Sequence, residues 1–551
     1  MVSSNAVSSK VRARKEFHPA IQRIVLLLVI TFGLSFTAKP ALAATSGGGA
    51  CPTGNNTIDP EGNPISIANV GVNGTITGGI TSCYYISKAT GSDSNSGTTE
   101  ASPWAHLPGM PSCTNTCAST TPAPGNGFIL RGGDTWTSSD LGVQWGGWSG
   151  TSSHPIYVGV DQSWYNSSCG SSWCRPIFNA QSSVSNNQFN IGNSSWVIFD
   201  NIESIGMTNS QNGCQMVGSS NERCTQMYFH AWTRISGPGD NVGFFAQCGS
   251  GDMIDHNVMD GSDSSKNTLN GVYGSCAGTV QYNYFNYLVS GILASVDNVN
   301  NNIVQNAVTS ADGDHCNGIF TFGPQSGKTL YVYNNITRGM QCSGGVNFWL
   351  VGNSGGCVGC TSFAYNNIID ASAVSGNVFN IGGHPSDGNT GTYTVENNTI
   401  IANNGGTCMG NGESSPRSTT NFANNHCING SIICDGTGTT CNNLGGNLLQ
   451  TMSTANKQGY SASELEEYSP VAGCTSSTCS TVGAGVSLAS SCSASMTELC
   501  SSVTYPSYDS ATHRMGVMAA NARSAAWDIG AYQFASGSSP NPPTGLSATV
   551  Q

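Results

Sequence analysis

Four stretches decide the fold: WVIFDNI (196–202), TLYVYNNI (329–336), SFAYNNII (362–369) and YTVENNTI (393–400). Each is a short run of β-formers closed by Asn and followed by another β-former. The phrase runs from Trp196 to Cys434 as Asn201-Ile202, Asn257-Val258, Asn283-Tyr284, Asn302-Ile303, Asn335-Ile336, Asn367-Ile368, Asn398-Thr399 and Asn425-His426. His230-Ala231, within MYFHAW, fills the beat between the first two, giving steps of 29, 27, 26, 19, 33, 32, 31 and 27 residues. A second phrase, a turn ending in Gly before an apolar residue, accompanies it. It stands at Asn270-Gly271-Val272, Ser290-Gly291-Ile292, Asn317-Gly318-Ile319, Gly344-Gly345-Val346 and Gly430-Ser431-Ile432.

A repeat of this length, with two or three short strands and no helical spacing, predicts a parallel β-solenoid. One coil cannot bury its apolar face alone, so neighbouring coils stack. An Asn at the bend of every coil can donate to the coil on one side and accept from the coil on the other. The resulting ladder satisfies polar groups that would otherwise be buried unpaired. These Asn residues are therefore read as structural, not catalytic.

Composition agrees. Only 9% of the 551 residues are charged, against about 25% in average globular proteins. Gly alone contributes 70 residues, as tight turns between β-coils require. Solenoids grow by adding coils, so one long domain accommodates the length. Residues 1–43 read as an export signal: a basic leader (Lys10, Arg12, Arg14, Lys15, Arg23), an apolar core from Ile24 to Phe36, and the small-residue site Ala41-Leu42-Ala43. The apolar run is short for a membrane span, so cleavage after Ala43 is expected, with retention as an anchor the alternative. Removing the leader takes six of 18 basic residues and one of 30 acids, leaving a charge of −17. That balance argues against a nucleic-acid partner. A neutral, hydrogen-bonding surface suits sugars.

All 22 Cys follow the cleavage site, and an even count in an exported chain predicts disulfides. Expected pairs are Cys113/Cys117, Cys169/Cys174, Cys214/Cys224, Cys474/Cys479 and Cys492/Cys500 by proximity. Cys248/Cys276 and Cys408/Cys434 are expected between adjacent coils, and Cys51 is pinned to a residue such as Cys83. Cys357-x-x-Cys360 is read as a loop disulfide rather than a zinc site, because no second pair has ligand spacing.

Residues 44–83 form an N-terminal extension and 536–551 a Pro-rich tail. Between them, Tyr84-Tyr85, GSDSNSGT (91–98), Pro103-Trp104 and Arg131-Gly132-Gly133 resemble the entry of secreted right-handed parallel β-helix proteins of the pectin-lyase-like superfamily. Tyr468-Ser469-Pro470, Gly483-Ala484-Gly485 and Asp528-Ile529-Gly530-Ala531-Tyr532 are similar to that superfamily's closing motif. The resemblance covers roughly residues 84–534. It implies an all-β, right-handed parallel β-helix of about ten coils, braced by disulfides. It also implies activity on an extracellular polysaccharide, without choosing among lyases, hydrolases, epimerases and non-catalytic surface proteins. One departure is local: where the family places a capping helix, LPGMPSCTNTCASTTPAPGNG (107–127) is too rich in Pro and Cys, and a disulfide-tied loop is expected to cover the solenoid end. Seven of the ten Trp, from Trp104 to Trp196, are expected to pack there and under loops rather than to bind sugar.

Charge is scarce, so where it gathers is informative. Polar loops between the Asn ladder and the following Gly-apolar strand should stack on one side. They bring Arg234 and Asp240, then Asp260, Asp263 and Lys266, then Asp312, Asp314 and His315, and finally Arg338. Two chemistries fit. In a lyase a base removes the proton beside a uronate carboxylate, whose charge must be neutralised. Lyases of similar fold commonly use Lys or Arg as the base and calcium held by Asp residues. On that resemblance Lys266 is the base, with Asp260, Asp263, Asp312 and Asp314 as calcium ligands. In a hydrolase, Asp240, Asp312 and Asp314 are the candidates for the acid–base pair, with His315 orienting or shuttling; Arg338 completes the catalytic candidates of the band. Arg234 and Asp240 are the substrate-contacting candidates. The paired-Asp, Gly-His-Gly and Arg-Ile-Lys pattern of polygalacturonases is missing, and so are the dense Asp-Asp and Arg clusters of calcium-dependent pectate lyases, so a solvated loop face or a non-catalytic glycan-binding or adhesion surface stands as the alternative. Elsewhere, alternation places Asp255 and His256 on opposite faces, His384 and Asp387 fall in a turn, and Arg514 and Arg523 tie down the last segment. The expected product is a secreted or cell-surface monomer with a polysaccharide partner and no membrane span after cleavage.

Overall fold

The structure, a computed structural model, describes residues 47–533 apart from short stretches at 184–188, 209–212, 234–242, 247, 265–269, 309–316, 325–327, 341–347, 351–357, 374–376, 383–389, 412–417, 435–439, 461–469, 471–473, 493–494, 501, 518–520 and 523–526. The leader and tail thus lie outside the described residues. No described helix is long and apolar enough to cross a membrane.

The chain is a right-handed parallel β-helix with three sheets. Sheet one stacks thirteen described strands, from Ser82–Ile86 through Val197–Asp200, Thr329–Tyr333, Val358–Tyr365, Thr390–Glu396 and Thr419–Ala423 to Thr440–Gly445. Sheet two runs from Thr135–Thr137 to Leu448–Gln450, and sheet three from Val143–Gln144 to the second half of His426–Cys434. All pairings between coils are parallel. The coils beyond the ten expected lie before Trp196, where the repeat is not written.

The interior is one continuous apolar stack. On sheet one it includes Phe128, Val158, Phe199, Cys224, Ile254, Val280, Val299, Val332, Ala364 and Val395. The turn expected at Ser290-Gly291-Ile292 is instead strand, and the tight coil admits no side chain there: a Cβ on Gly291 would sit 2.6 Å from the Val304 side chain. The Asn ladder is present but begins later than the repeat predicts. The Asn257 amide donates to Asn283 Oδ1 (2.9 Å), and the pattern passes through Asn302, Asn335, Asn367, Asn398 and Asn425 to Asn447. Each Oδ1 also accepts the backbone N–H of the preceding rung, as Asn335 does from Asn302 at 3.0 Å. Asn201 is not a rung: it occupies a left-handed corner (φ 59°) stacked with Gln226, His256, Tyr282, Asn301 and Asn334. Nor is His230-Ala231, because the residue donating to Asn257 is Met227.

Outer faces are covered by the chain ends. Ile67, Val70 and Val72 of the N-terminal extension pack on Tyr85, Ile129, Tyr157 and Ile198 of sheet one. Buried Arg223 pins the extension by donating to the Ile58 carbonyl (3.0 Å) while forming a two-point pair with Asp255 (2.8 and 2.6 Å). Burial works to raise the Asp255 carboxyl, but the Arg223 guanidinium overrides it and holds it at about 2. Asp255 also meets His256 Nδ1 at 2.8 Å, contrary to strand alternation, because the left-handed corner at His256 turns its ring back. The C-terminal segment returns along the solenoid. Tyr460, Tyr505, Met515 and Ala531 cover the outer face of sheet two, and Leu488, Met496, Leu499 and Trp527 cover part of sheet one. Arg514 ties it down through Asn201 (3.1 Å) and Gln226 (3.3 Å).

At the N-terminal end Trp104, Trp136 and Trp145 are fully buried against Tyr84, Phe128 and Phe178. The cap is a loop holding the Cys113–Cys117 disulfide and one short helix, Asn115–Ser119. Disulfides join Cys51–Cys83, Cys169–Cys174, Cys248–Cys276, Cys474–Cys479 and Cys492–Cys500 as expected. Cys408 bonds Cys427 rather than Cys434, which bonds Cys441. The register explains this: Cys434 lies opposite Asn411, three residues past Cys408, whereas Cys427 faces the same interior. Cys214 and Cys224 are buried thiols with sulfurs 3.0 Å apart, and Cys360 is disulfide-bonded while Cys357 lies outside the described residues.

Candidate functional site

Sheet two is built from strands of only three residues. In Glu203–Ile205, Tyr228–His230, Val258–Asp260, Tyr284–Asn286, Ile303–Gln305 and Ile336–Arg338 the middle residue faces the core and its neighbours face outward. The first outward position is largely apolar and covered by the C-terminal segment. The third carries His230, Asp260, Asn286, Gln305 and Arg338 in direct register. These side chains are linked. The Asn286 amide donates to Asp260 Oδ1 (2.8 Å), the Gln305 amide to Asn286 Oδ1 (3.4 Å), and Arg338 to Gln305 Oε1 through Nε (3.0 Å) and Nη2 (2.9 Å).

At the head of this file His230 is held between two carboxylates. Its Nδ1 meets Asp263 Oδ2 at 2.8 Å and its Nε2 meets Glu203 Oε1 at 3.1 Å. Asp263 Oδ1 also accepts the Ala231 backbone N–H (2.8 Å), which fixes the carboxylate against the ring. Burial disfavours the charged imidazolium, but the bonds to Glu203 and Asp263 outweigh it, and the His230 pKa is raised. Asp263 is half exposed, so the group is in contact with solvent. Tyr228 stacks on His230 (4.1 Å between centroids) and on His513 of the C-terminal segment (4.3 Å). Tyr508 donates to or accepts from His513 Nδ1 at 3.0 Å and stacks on Tyr284 at 3.8 Å. Burial, reinforced by nearby Arg175, lowers the His513 pKa. Two imidazoles whose pKa values are shifted in opposite directions therefore both stack on one phenol ring.

Of the residues singled out from sequence, Asp260, Asp263 and Arg338 fall on this edge of sheet two. Arg234, Asp240, Lys266, Asp312, Asp314, His315, His384, Asp387 and Arg523 lie outside the described residues. The segments containing the first six begin just after strands that end at His230, Asp260 and Gln305, which are stacked. Among the described residues, no group of three or more His, Cys, Asp or Glu side chains is placed to hold a metal ion. Sequence reasoning missed Glu203, His230, Tyr228 and His513. The signal was present: Tyr228 and His230 alternate within MYFHAW, and Glu203 follows Asn201 by two. A depression of about 410 Å³ at Gly405, Gly430, Ser431, Leu449 and Gln450 lies near the C-terminal end of the solenoid and carries no ionisable lining group.

No family model and no curated protein matches the sequence. Among solved structures, the chain is similar to the GH136 lacto-N-biosidase from Eubacterium ramulus, at 12% identity over 67% of this chain and 68% of that one, with a TM-score of 0.41. It is also similar to a rhamnogalacturonan lyase (13%, 70% and 94%, TM-score 0.36) and to the catalytic domain of a GH87 α-1,3-glucanase (12%, 58% and 64%, TM-score 0.30). Likenesses this loose carry no argument about activity. The chemistry rests on the residues themselves.

Proposed function

We propose that the chain is a carbohydrate-active protein that cleaves an extracellular polysaccharide laid along the polar file of sheet two, with β-elimination at a uronate as the leading chemistry. The observation that carries the reading is His230, bonded through both ring nitrogens to Glu203 and Asp263 at the head of a file that is hydrogen-bonded from Asp260 to Arg338. Because both ring nitrogens of His230 are engaged, its proton would reach the leaving oxygen by passing from Nδ1 to the half-exposed Asp263 carboxylate, which then protonates that oxygen. Arg338 supplies positive charge for a substrate carboxylate. Lys266 is assigned the role of base. Asp260, Asp263, Asp312 and Asp314 are assigned to calcium, a hard cation that takes carboxylate oxygens and would neutralise the uronate. Arg234 and Asp240 are assigned to substrate. The eight disulfides among the described residues fit an exported protein.

A hydrolase reading draws on one observation of its own. Glu203 and the half-exposed Asp263 are two carboxyl groups bonded to one imidazole, and glycoside hydrolysis uses a carboxyl pair. Since the ring fills the space between these two, the substrate would lie beside them, against Asp263. The test incubates the protein from Ala44 onward with uronate and neutral polysaccharides, with and without calcium. Ultraviolet absorbance of unsaturated product and release of reducing ends are followed together. Calcium-dependent absorbance lost in Lys266→Ala supports the lyase. New reducing ends without absorbance move the assignment to hydrolysis. Silence in both, with glycan still bound, removes the enzyme reading altogether.

A further inference from the structure

Sheet one carries a second periodic surface, distant in sequence from the His230 group. In its later coils Thr329, Thr361, Thr392, Thr419 and Thr440 stand in direct register, one per coil. They face outward, because their chain neighbours Leu330, Ser362, Tyr393 and Thr420 are fully buried on the other side. Thr392 and Thr440 are exposed and the others half-buried. None of the five hydroxyls has a partner among the described residues. Two residues further along each strand runs a parallel file of Tyr331, Phe363, Thr394, Asn421 and Asn442, in the same register. Its polar end is pre-ordered: the Asn442 amide donates to Asn421 Oδ1 (3.0 Å), and the Asn421 amide to Thr394 Oγ1 (3.4 Å). Its aromatic end is a stacked pair, Tyr331 and Phe363, with centroids 5.5 Å apart. Both rings are only partly buried against Leu488, Met496 and Leu499 of the returning C-terminal segment, which banks one side of the surface.

We infer that these two files form a binding surface for an extended, uncharged polysaccharide lying parallel to the solenoid axis, one sugar per coil. Coils repeat at about 4.8 Å, of the same order as the rise of one residue in an extended β-linked glycan. Five coils therefore present about 19 Å of surface. A partner with that repeat meets a hydroxyl at every step, and each Thr hydroxyl both donates and accepts, as sugar hydroxyls require. The strands bearing the files hold a single side chain of the Asp, Glu, Lys, Arg and His types, Glu396, which is buried. Exposed Lys328, one residue before Thr329, is a single cation at one end of the files, so a chain with a negative charge on every sugar would stay unneutralised along them and the fit is to a neutral glycan. This surface is independent of cleavage at His230 and stands whether or not that group is catalytic.

The test measures depletion of the protein from Ala44 onward by insoluble β-1,4-glucan and by chitin, at low and high salt. Salt-resistant retention is expected on at least one of them. The variant Thr392→Val/Thr419→Val/Thr440→Val keeps the β-branched shape and removes three hydroxyls. It should bind roughly tenfold more weakly, equivalent to about 1.4 kcal/mol, with an unchanged unfolding midpoint and unchanged turnover of any soluble substrate. Thr419→Lys, placing bulk and charge mid-file, should abolish retention, whereas His230→Asn should retain fully. Equal retention of the Val variant and the parent would overturn the inference. So would no retention of the parent, or a ladder-dependent effect on ice-crystal growth without glycan binding, which would make the periodic partner water.

Discussion

Removing one rung from the middle of the Asn ladder should cost far more than removing the last rung. Asn335 is fully buried. Its amide donates to Asn367 Oδ1 (3.0 Å) and to the Val299 carbonyl (2.9 Å), while its Oδ1 accepts both the backbone N–H and the amide of Asn302 (3.0 Å each). In Asn335→Ala some of these partners keep a second bond. The Asn302 amide still reaches the Val280 carbonyl, and Asn367 Oδ1 still accepts the Asn335 backbone N–H. The Asn302 backbone N–H loses the bond just named, inside the stack where water does not reach, while the Val299 carbonyl, in register with Thr329–Tyr333, keeps its sheet bond. At about 1–3 kcal/mol for the orphaned N–H and about 1 kcal/mol for the second bond to Val299, the expected loss is about 2–4 kcal/mol. Asn447 makes equivalent bonds to Asn425 and Phe422, but it is half exposed on the last rung. Water can replace it, so Asn447→Ala should cost about 1 kcal/mol or less. A solenoid this long need not unfold in one step, so the assay is hydrogen exchange at the Asn302 amide, beside global urea unfolding. A loss of about 2 kcal/mol accelerates exchange about 30-fold where opening is local. Equal effects of the two variants, or an unchanged Asn302 amide, would falsify the ladder as the source of stability.

Other outcomes follow from single groups. Burial pushes the Glu396 carboxyl up to about 7, with Ser491 donating to it only weakly against that trend. Unfolding frees it to ionise near its ordinary value, so the native state binds the extra proton between about pH 4.5 and 7. Stability therefore falls as pH rises through that window, by on the order of 3 kcal/mol, and the Glu396→Gln variant should show a correspondingly flatter profile of urea midpoint against pH. His230→Asn should lower cleavage by about two to four orders of magnitude while leaving the unfolding midpoint within about 1 kcal/mol, as measured by initial rates and urea titration. A structural role alone would reverse that pattern. Gly291→Ala should cost about 1–3 kcal/mol by overpacking against Val304, read from the same titrations. Chelation should abolish activity and calcium restore it if the Asp residues bind the ion, and Asp263→Asn should raise the calcium concentration needed.

The repeat made the solenoid legible because stacking imposes the same demand on every coil: apolar inside, a hydrogen-bonding amide at the bend. What it could not set was the phase of the ladder where only one Asn is written. In Asn334-Asn335, Asn366-Asn367, Asn397-Asn398 and Asn424-Asn425 the first residue takes the left-handed corner and the second the rung. Both positions favour Asn, one for its tolerance of positive φ and the other for its amide. At Asn201-Ile202 a single Asn takes the corner, and an apolar residue stands where the rung would be. The same ambiguity hid His230. Counted as a beat of the repeat it reads as structural, whereas Tyr228 and His230 are the two outward residues of a three-residue strand.

Function was less legible because outward positions obey no shared demand. Asp260 and Arg338 look unrelated in sequence, 78 positions apart. Two neutral amides, Asn286 and Gln305, complete the link between them and carry no signal of chemistry on their own. Glu203 comes from the coil before His230, and His513 arrives from the other end of the chain. Both kinds of proximity depend on register and on how the C-terminal segment returns along sheet two. In a solenoid, then, charge density along the sequence is a poor guide to a site. The useful quantity is the identity of residues one coil apart at the same outward position. By that measure the His230 file, charged and mixed, and the Thr file, neutral and repetitive, are opposite kinds of surface: the first we propose for moving protons, the second for matching a repeating partner.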